Sequence, residues 1–213
     1  MATHGAEPTD ALRAAVVQRG IHLEYLTVGW NVLECLVAVT FGLAAGSIAL
    51  VGFGVDSAIE SASGLVLLWR LRAEGQGQGS EAIERRALKL VGISFFLLAA
   101  YVSFESLKSL WNREAPVAST PGIALAIASL IVMPLLARAK RRTAATLKSA
   151  ALHADSRQTS LCAYLSAILL GGLLLNASLG WWWADPVAGL LMVPIIANEG
   201  RAAFRGDPCP DCH

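Results

Sequence analysis

Asp56 and Glu60 stand four residues apart inside an otherwise apolar stretch, IALVGFGVDSAIESASGLVLLW. Four residues are close to one helical turn, so both carboxylates fall on one face, where their charges repel unless a proton or a cation lies with them. A bound divalent ion or a proton removes that conflict. A second polar set opens the stretch HADSRQTSLCAYLS, where Asp155, Gln158 and Cys162 follow at spacings of three and four and share a face. Carboxylate, amide and thiol donors on facing helices are able to complete a metal's coordination. Gln158 and Cys162 equally fit the small and polar side chains that join helices inside a membrane, and spacing leaves both readings open.

Other ionisable residues interrupt apolar runs, each at a cost of about 2.5 to 3.5 kcal/mol on insertion scales. Glu34 lies in WNVLEC, on one face with Asn31 and Cys35. It is read as a proton acceptor or as a residue that positions a ligand, and equally as a hydrogen-bonded structural acid. Glu105 lies three residues from Lys108 and reads as half of a surface ion pair. Glu199 falls near the end of the last apolar stretch, where the cost is low.

Only 15% of the 213 residues are charged against 55% hydrophobic, well below the charged share of roughly 25% expected of a soluble domain. The expected class is all-α, an integral membrane bundle. Crossing about 30 Å of hydrocarbon takes about 20 apolar residues at 1.5 Å each. Six stretches qualify, near Tyr25 to Leu43, Ser47 to Trp69, Ala87 to Trp111, Pro121 to Ala137, Asp155 to Leu179 and Pro186 to Phe204. Thr120 before Pro121 and Asp185 before Pro186 read as caps ahead of a proline at the first helical position. EGQGQGS, from Glu74 to Ser80, reads as a flexible loop. The opening MATHGAEPTDALRAAVVQRG has no apolar core or cleavage site of a signal peptide.

Lys and Arg concentrate between stretches two and three (Arg70, Arg72, Arg85, Arg86, Lys89) and between four and five (Arg138, Lys140, Arg141, Arg142, Lys148, Arg157). The positive-inside rule makes these loops, and therefore both termini, cytosolic. Trp181, Trp182 and Trp183 then fall at the outer interface as an aromatic belt. The chain divides into a cytosolic segment 1–24, a six-helix transmembrane domain 25–204 and a cytosolic tail 205–213. It is expected in the lipid bilayer as a multi-pass protein, in the plasma (inner) membrane if bacterial. A net charge of +1 excludes the basic balance of a nucleic-acid binder. No nucleophile–base pair appears, and EGQGQGS lacks the Lys of a phosphate loop, so no enzyme is expected.

The ordered set of motifs resembles the cation diffusion facilitator family, six-helix exporters of divalent metals. GSIALVGFGVDSAIESASG is similar to the family's second span, with Asp56 and Glu60 on ligand positions. ALHADSRQTSLCAYLS is similar to its fifth, with Gln158 and Cys162 on them. YVSFESLKSL, WWWADPVAGLLMVPIIANEG and RAKRRTAATLKSAALHADS resemble the end of the third span, the sixth span and the loop before the fifth. The resemblance implies a metal set of Asp56, Glu60, Gln158 and Cys162; Asp155, Glu34 and Asn31 form a second tier from their spacing alone. It also implies a homodimer.

Two departures bear on the substrate. The His and Asp expected in the fifth span are replaced by Gln158 and Cys162. Zn²⁺ leads for a set of two carboxylates and a thiol, with Fe²⁺, Mn²⁺, Co²⁺ or Cd²⁺ admitted once the imidazole is lost. The sequence ends at GDPCPDCH, where family members commonly carry a folded cytosolic domain. Cys209, Cys212 and His213 offer a partial zinc site, or a full one from two protomers. The same Cys-x-x-Cys-His spells a haem-attachment pattern, which a tail without a folded pocket does not suit. The expected activity is export of the cation in exchange for protons, with no resident cofactor. Its rivals are a structural or regulatory membrane subunit and a transporter of protons or organic cations.

Overall fold

The computed structural model describes residues 8–74, 81–114, 116–147 and 150–205. Six helices follow in order: α1 Pro8–Ala45, α2 Ile48–Glu74, α3 Glu81–Asn112, α4 Thr120–Leu147, α5 Ala150–Leu179 and α6 Ala184–Arg205. No strand occurs among the described residues. The bundle is turned inside out relative to a water-soluble one. Leu26, Leu36, Leu43, Leu97, Phe104, Ile131, Leu135 and Leu191 face outward, while Asn31, Glu34, Asp56, Ser57, Glu60 and Lys140 are buried. An exterior of that kind requires hydrocarbon around it, and helices are the elements that keep backbone groups bonded there.

Four helices are long and apolar enough to cross a membrane, within Ala15–Ala45, Ile48–Trp69, Thr120–Leu147 and Asp155–Leu179. The other two, α3 and α6, carry more charge, such as Glu105 and Lys108 on one and Asp185, Glu199 and Arg201 on the other. They pack against each other at Gly92 and Gly200. A side chain on Gly92 would lie 2.9 Å from the Gly200 carbonyl oxygen, so glycine is what lets the two backbones touch. The centre of the bundle is α2, which packs on α1, α3, α5 and α6. Of its span 67% is buried, against 22% to 39% in the other three, so α2 faces protein while its neighbours face lipid.

The turn from α1 into α2 follows from Gly46, whose φ of 67° suits a residue without Cβ. Its N–H bonds to the Leu43 carbonyl and that of Ser47 to the Gly42 carbonyl at 2.9 Å, which closes α1 and starts α2 at once. The start of α2 is capped from a distant helix. Asp185 accepts the Ser47 hydroxyl and the Ile48 N–H at 2.9 Å. The sequence places Asp185 as the cap of its own helix; in the structure it lies inside the first turn of α6, and its carboxylate goes to α2. At α4 the capping oxygen is that of Ser119, which accepts the Gly122 N–H at 3.2 Å, one residue before the expected Thr120.

Three boundaries also differ from the sequence reading. Helix α1 already runs from Pro8, so much of the segment 1–24 is helical and Glu24 is buried. Helix α4 continues past Ala137 to Leu147, and α5 starts at Ala150, ahead of Asp155. Lys140, counted with the basic loop, is therefore inside the bundle. Its stripe explains why: Met133, Ala137, Lys140 and Ala144 recur at helical spacing along the buried face of α4. The ion pair expected at Glu105 and Lys108 is present at 3.1 Å. Most of EGQGQGS, and the tail with Cys209, Cys212 and His213, lie outside the described residues.

Replacing Asp185 by Ala removes acceptors from Ser47, Ile48 and Ala49 together, and is expected to destabilise the protein by about 1 to 3 kcal/mol. A thermal melt of the purified chain in detergent checks this, with a lowered midpoint expected.

Candidate metal site between the second and fifth helices

Asp56 and Glu60 lie on the face of α2 that meets α5, one turn apart and both buried. Across from them, the Cys162 thiol donates to Asp56 Oδ2 at 3.8 Å. One turn further along α2, the Ser63 hydroxyl donates to Gln158 Oε1 at 3.3 Å. The antiparallel pair therefore brings all four leading residues to one interface. Glu60 sits between these two contacts, with Cys162 among its electrostatic neighbours. Glu60 Oε1 and Gln158 Nε2 are buried without a hydrogen-bond partner. Because α5 starts at Ala150, Gln158 lies about two turns inside the helix. That depth lets it face the half of α2 that carries Glu60.

Among the described residues, no three His, Cys, Asp or Glu side chains converge closely enough to hold a metal ion. The Asp56–Cys162 contact is a pair, and Glu60 stands beside it.

The second-tier residues divide. Glu34 joins α1 to α2 beside Asp56: Trp30 Nε1 donates to its Oε1 at 2.5 Å and the Ser57 hydroxyl to its Oε2 at 3.0 Å. Asn31 is fully buried near it in sequence, and neither its oxygen nor its nitrogen has a hydrogen-bond partner. Asp155 is engaged by Lys140, whose Nζ lies 2.5 Å from its Oδ2. The same ammonium reaches Glu24 Oε2 at 2.8 Å. In this arrangement Asp155 is part of an ion-pair network rather than of the α2–α5 pair.

Sequence reasoning missed several partners. Glu24 and Lys140 were hidden because each adjoins a basic, tail-like or loop-like stretch, and only the i, i+3, i+4 stripe on α4 signals that Lys140 turns inward. Glu199, set aside as a low-cost residue, is an electrostatic neighbour of Asp56 and Glu60, with Arg157 close to it. Ser57 and Ser63 left no signal beyond following Asp56 and Glu60 on the same helix.

Residues 25–205 match the cation efflux transmembrane domain. The chain belongs to the cation efflux family. Its curated relatives include an uncharacterized transporter of Synechocystis sp., 27% identical over 151 residues, covering 68% of this chain and 49% of the relative. Another is the cation-efflux pump FieF of Shewanella oneidensis, 28% identical over 130 residues, covering 61% and 40% respectively. A third is an uncharacterized transporter of Methanocaldococcus jannaschii, 23% identical over 179 residues, covering 81% and 63%. The chain thus spans about half the length of the curated relatives it matches. As a member of the cation efflux family it is an integral, multi-pass membrane protein, and its helical bundle agrees.

Glu34 offers a check on the geometry beside Asp56. Glu34→Gln keeps an oxygen for Trp30 and turns a donor toward Ser57, whose hydroxyl is able to accept. The expected loss is under about 1 kcal/mol, whereas Glu34→Leu strands a half-buried indole N–H and the Ser57 hydroxyl and is expected to cost about 1 to 3 kcal/mol. Paired thermal melts in detergent measure the difference.

Proposed function

We propose that this chain exports divalent metal cations, with Zn²⁺ the leading substrate, in exchange for protons. The observation that carries the reading is the α2–α5 interface, where Asp56, Glu60, Gln158 and Cys162 meet inside a bundle of the cation efflux family. Two buried carboxylates that form no salt bridge among the described residues are a poor structural choice in hydrocarbon. They are well suited to an ion that comes and goes.

The chemistry follows from charge balance. With the site empty, carboxylic acid protons keep Asp56 and Glu60 from repelling each other; a divalent cation displaces those protons and neutralises the pair. Binding draws Asp56, Glu60 and Cys162 toward one point, with the Gln158 amide oxygen as a fourth donor. Helix rocking then opens the site to the other face, where protonation releases the metal. The cytosolic face is the one rich in Lys and Arg. A homodimer, a place in the plasma or inner membrane of a bacterium, and a metal-binding role for Cys209, Cys212 and His213 belong to the same proposal.

The decisive measurement is Zn²⁺ uptake into vesicles carrying the full chain. Asp56→Asn combined with Glu60→Gln is expected to lower uptake by about a hundredfold or more, since the loss of even a supporting partner typically costs 10-fold to 100-fold in metal affinity. Uptake at the wild-type rate would sink the proposal and return the acids to a helix-joining role. In the same assay Cys162→Ser is expected to raise Mn²⁺ relative to Zn²⁺ transport by about tenfold, because an oxygen donor favours the harder ion. An unchanged ratio would remove Cys162 from the substrate's coordination.

A further inference from the structure

Deep in the half of the bundle that carries the basic residues, one ammonium is enclosed by oxygen. Lys140 of α4 is fully buried, with its Nζ 2.8 Å from Glu24 Oε2 and 3.1 Å from Glu24 Oε1 on α1. On α5, Asp155 Oδ2 lies 2.5 Å away and Thr159 Oγ1 3.3 Å away. Glu24 is also fully buried and Asp155 nearly so. Four oxygens from two helices therefore converge on a single point, and a third helix delivers the cation to it. Glu24 also approaches α2 at Gly64, where a side chain would come within 3.5 Å of Glu24 Oε1. Gly64 is one turn from Glu60, and Glu60 itself feels the Lys140 charge and reaches toward Thr159, so the cluster directly adjoins the α2–α5 pair.

We propose that Lys140 stands where a second divalent cation would otherwise bind: its ammonium is a tethered counter-ion that fills the oxygen cluster of Glu24, Asp155 and Thr159. The charges argue for this. Two carboxylates and one ammonium leave one negative charge over, whereas a divalent ion matches the two carboxylates. Oxygen donors, one carboxylate bidentate, are the set that hard divalent ions take. A covalently held cation is present whatever the metal supply, so α1, α4 and α5 stay joined when metal is scarce. Lys140 also keeps Glu24 and Asp155 from capturing substrate, which leaves Asp56 and Glu60 as the place where it binds; this last clause rests on the proposed transport function.

The test counts Mn²⁺ bound per full-length chain in detergent, from the electron paramagnetic resonance signal of the free ion. Lys140→Met is expected to bind one more Mn²⁺ than the wild type, and adding Glu24→Gln and Asp155→Asn is expected to restore the wild-type count. An equal count in folded Lys140→Met overturns the proposal. Should Lys140→Met fold only when purified with Mn²⁺, that rescue supports it, and failure to fold both with and without Mn²⁺ overturns it. The readout is a difference from wild type. A wild-type chain that binds no Mn²⁺ therefore counts against Mn²⁺ as substrate and leaves this comparison intact.

Discussion

An ionised side chain surrounded by hydrocarbon must find an opposite charge, a proton or a set of hydrogen-bond donors, because no solvent is present to do the work. Each buried acid of this bundle meets that demand in a different way. Glu24 and Asp155 share Lys140, Glu34 takes the Trp30 indole and the Ser57 hydroxyl, and Asp185 takes the start of α2. Among the described residues Asp56 takes only the Cys162 thiol, and Glu60 Oε1 has no hydrogen-bond partner. The two acids left least satisfied lie next to each other, at the centre of the most buried helix. Stability is thus supplied around them, and under the proposed function they are where a mobile cation would bind.

The architecture serves this division. Placing α2 in the middle lets its polar face meet α5 while apolar faces of α1, α4 and α5 turn to lipid. Small residues bring backbones close where charge-bearing helices cross, as at Gly92 and Gly200 between α3 and α6. A helix that carries Glu199 and Arg201 is tolerable in this setting because it packs against protein over much of its length. The buried Ser129, Ser166 and Thr159 hydroxyls add local acceptors and donors: Ser166 donates to the Cys162 carbonyl at 2.8 Å, and its hydroxyl oxygen lies 2.9 Å from that of Ser129. The α5 backbone that presents Cys162 is thereby tied to α4.

Much of this was legible in the sequence, for definite physical reasons. Apolar runs report spans because the bilayer imposes a length, and the spacing of Asp56 with Glu60 and of Gln158 with Cys162 reports shared faces because helix geometry is regular. What spacing cannot report is which distant face lies opposite. Asp155 shares a face with Gln158 and Cys162 in sequence, yet Lys140 and Glu24 claim it. Lys140 reads as a loop cation because Arg138, Arg141 and Arg142 surround it, and a cation among cations gives no hint of burial. The capping role of Asp185 was seen, but its target was mistaken, since the acceptor reaches a helix start more than a hundred positions away.

That last contact carries a mechanical consequence. Asp185 pins the first turn of α2 to the first turn of α6, so the two helices share a fulcrum at that end. Glu60 is about 18 Å along α2 from Ile48, at 1.5 Å per residue. Across that lever arm, a tilt of about 10° moves Glu60 by about 3 Å, roughly the distance that separates a loose pair of donors from a closed coordination shell. Asp56, nearer the fulcrum, moves less. Small angular play is therefore amplified at Glu60 and damped at the Asp56–Cys162 contact, so the distance from the Glu60 carboxylate to that contact is the one that a tilt of α2 changes most.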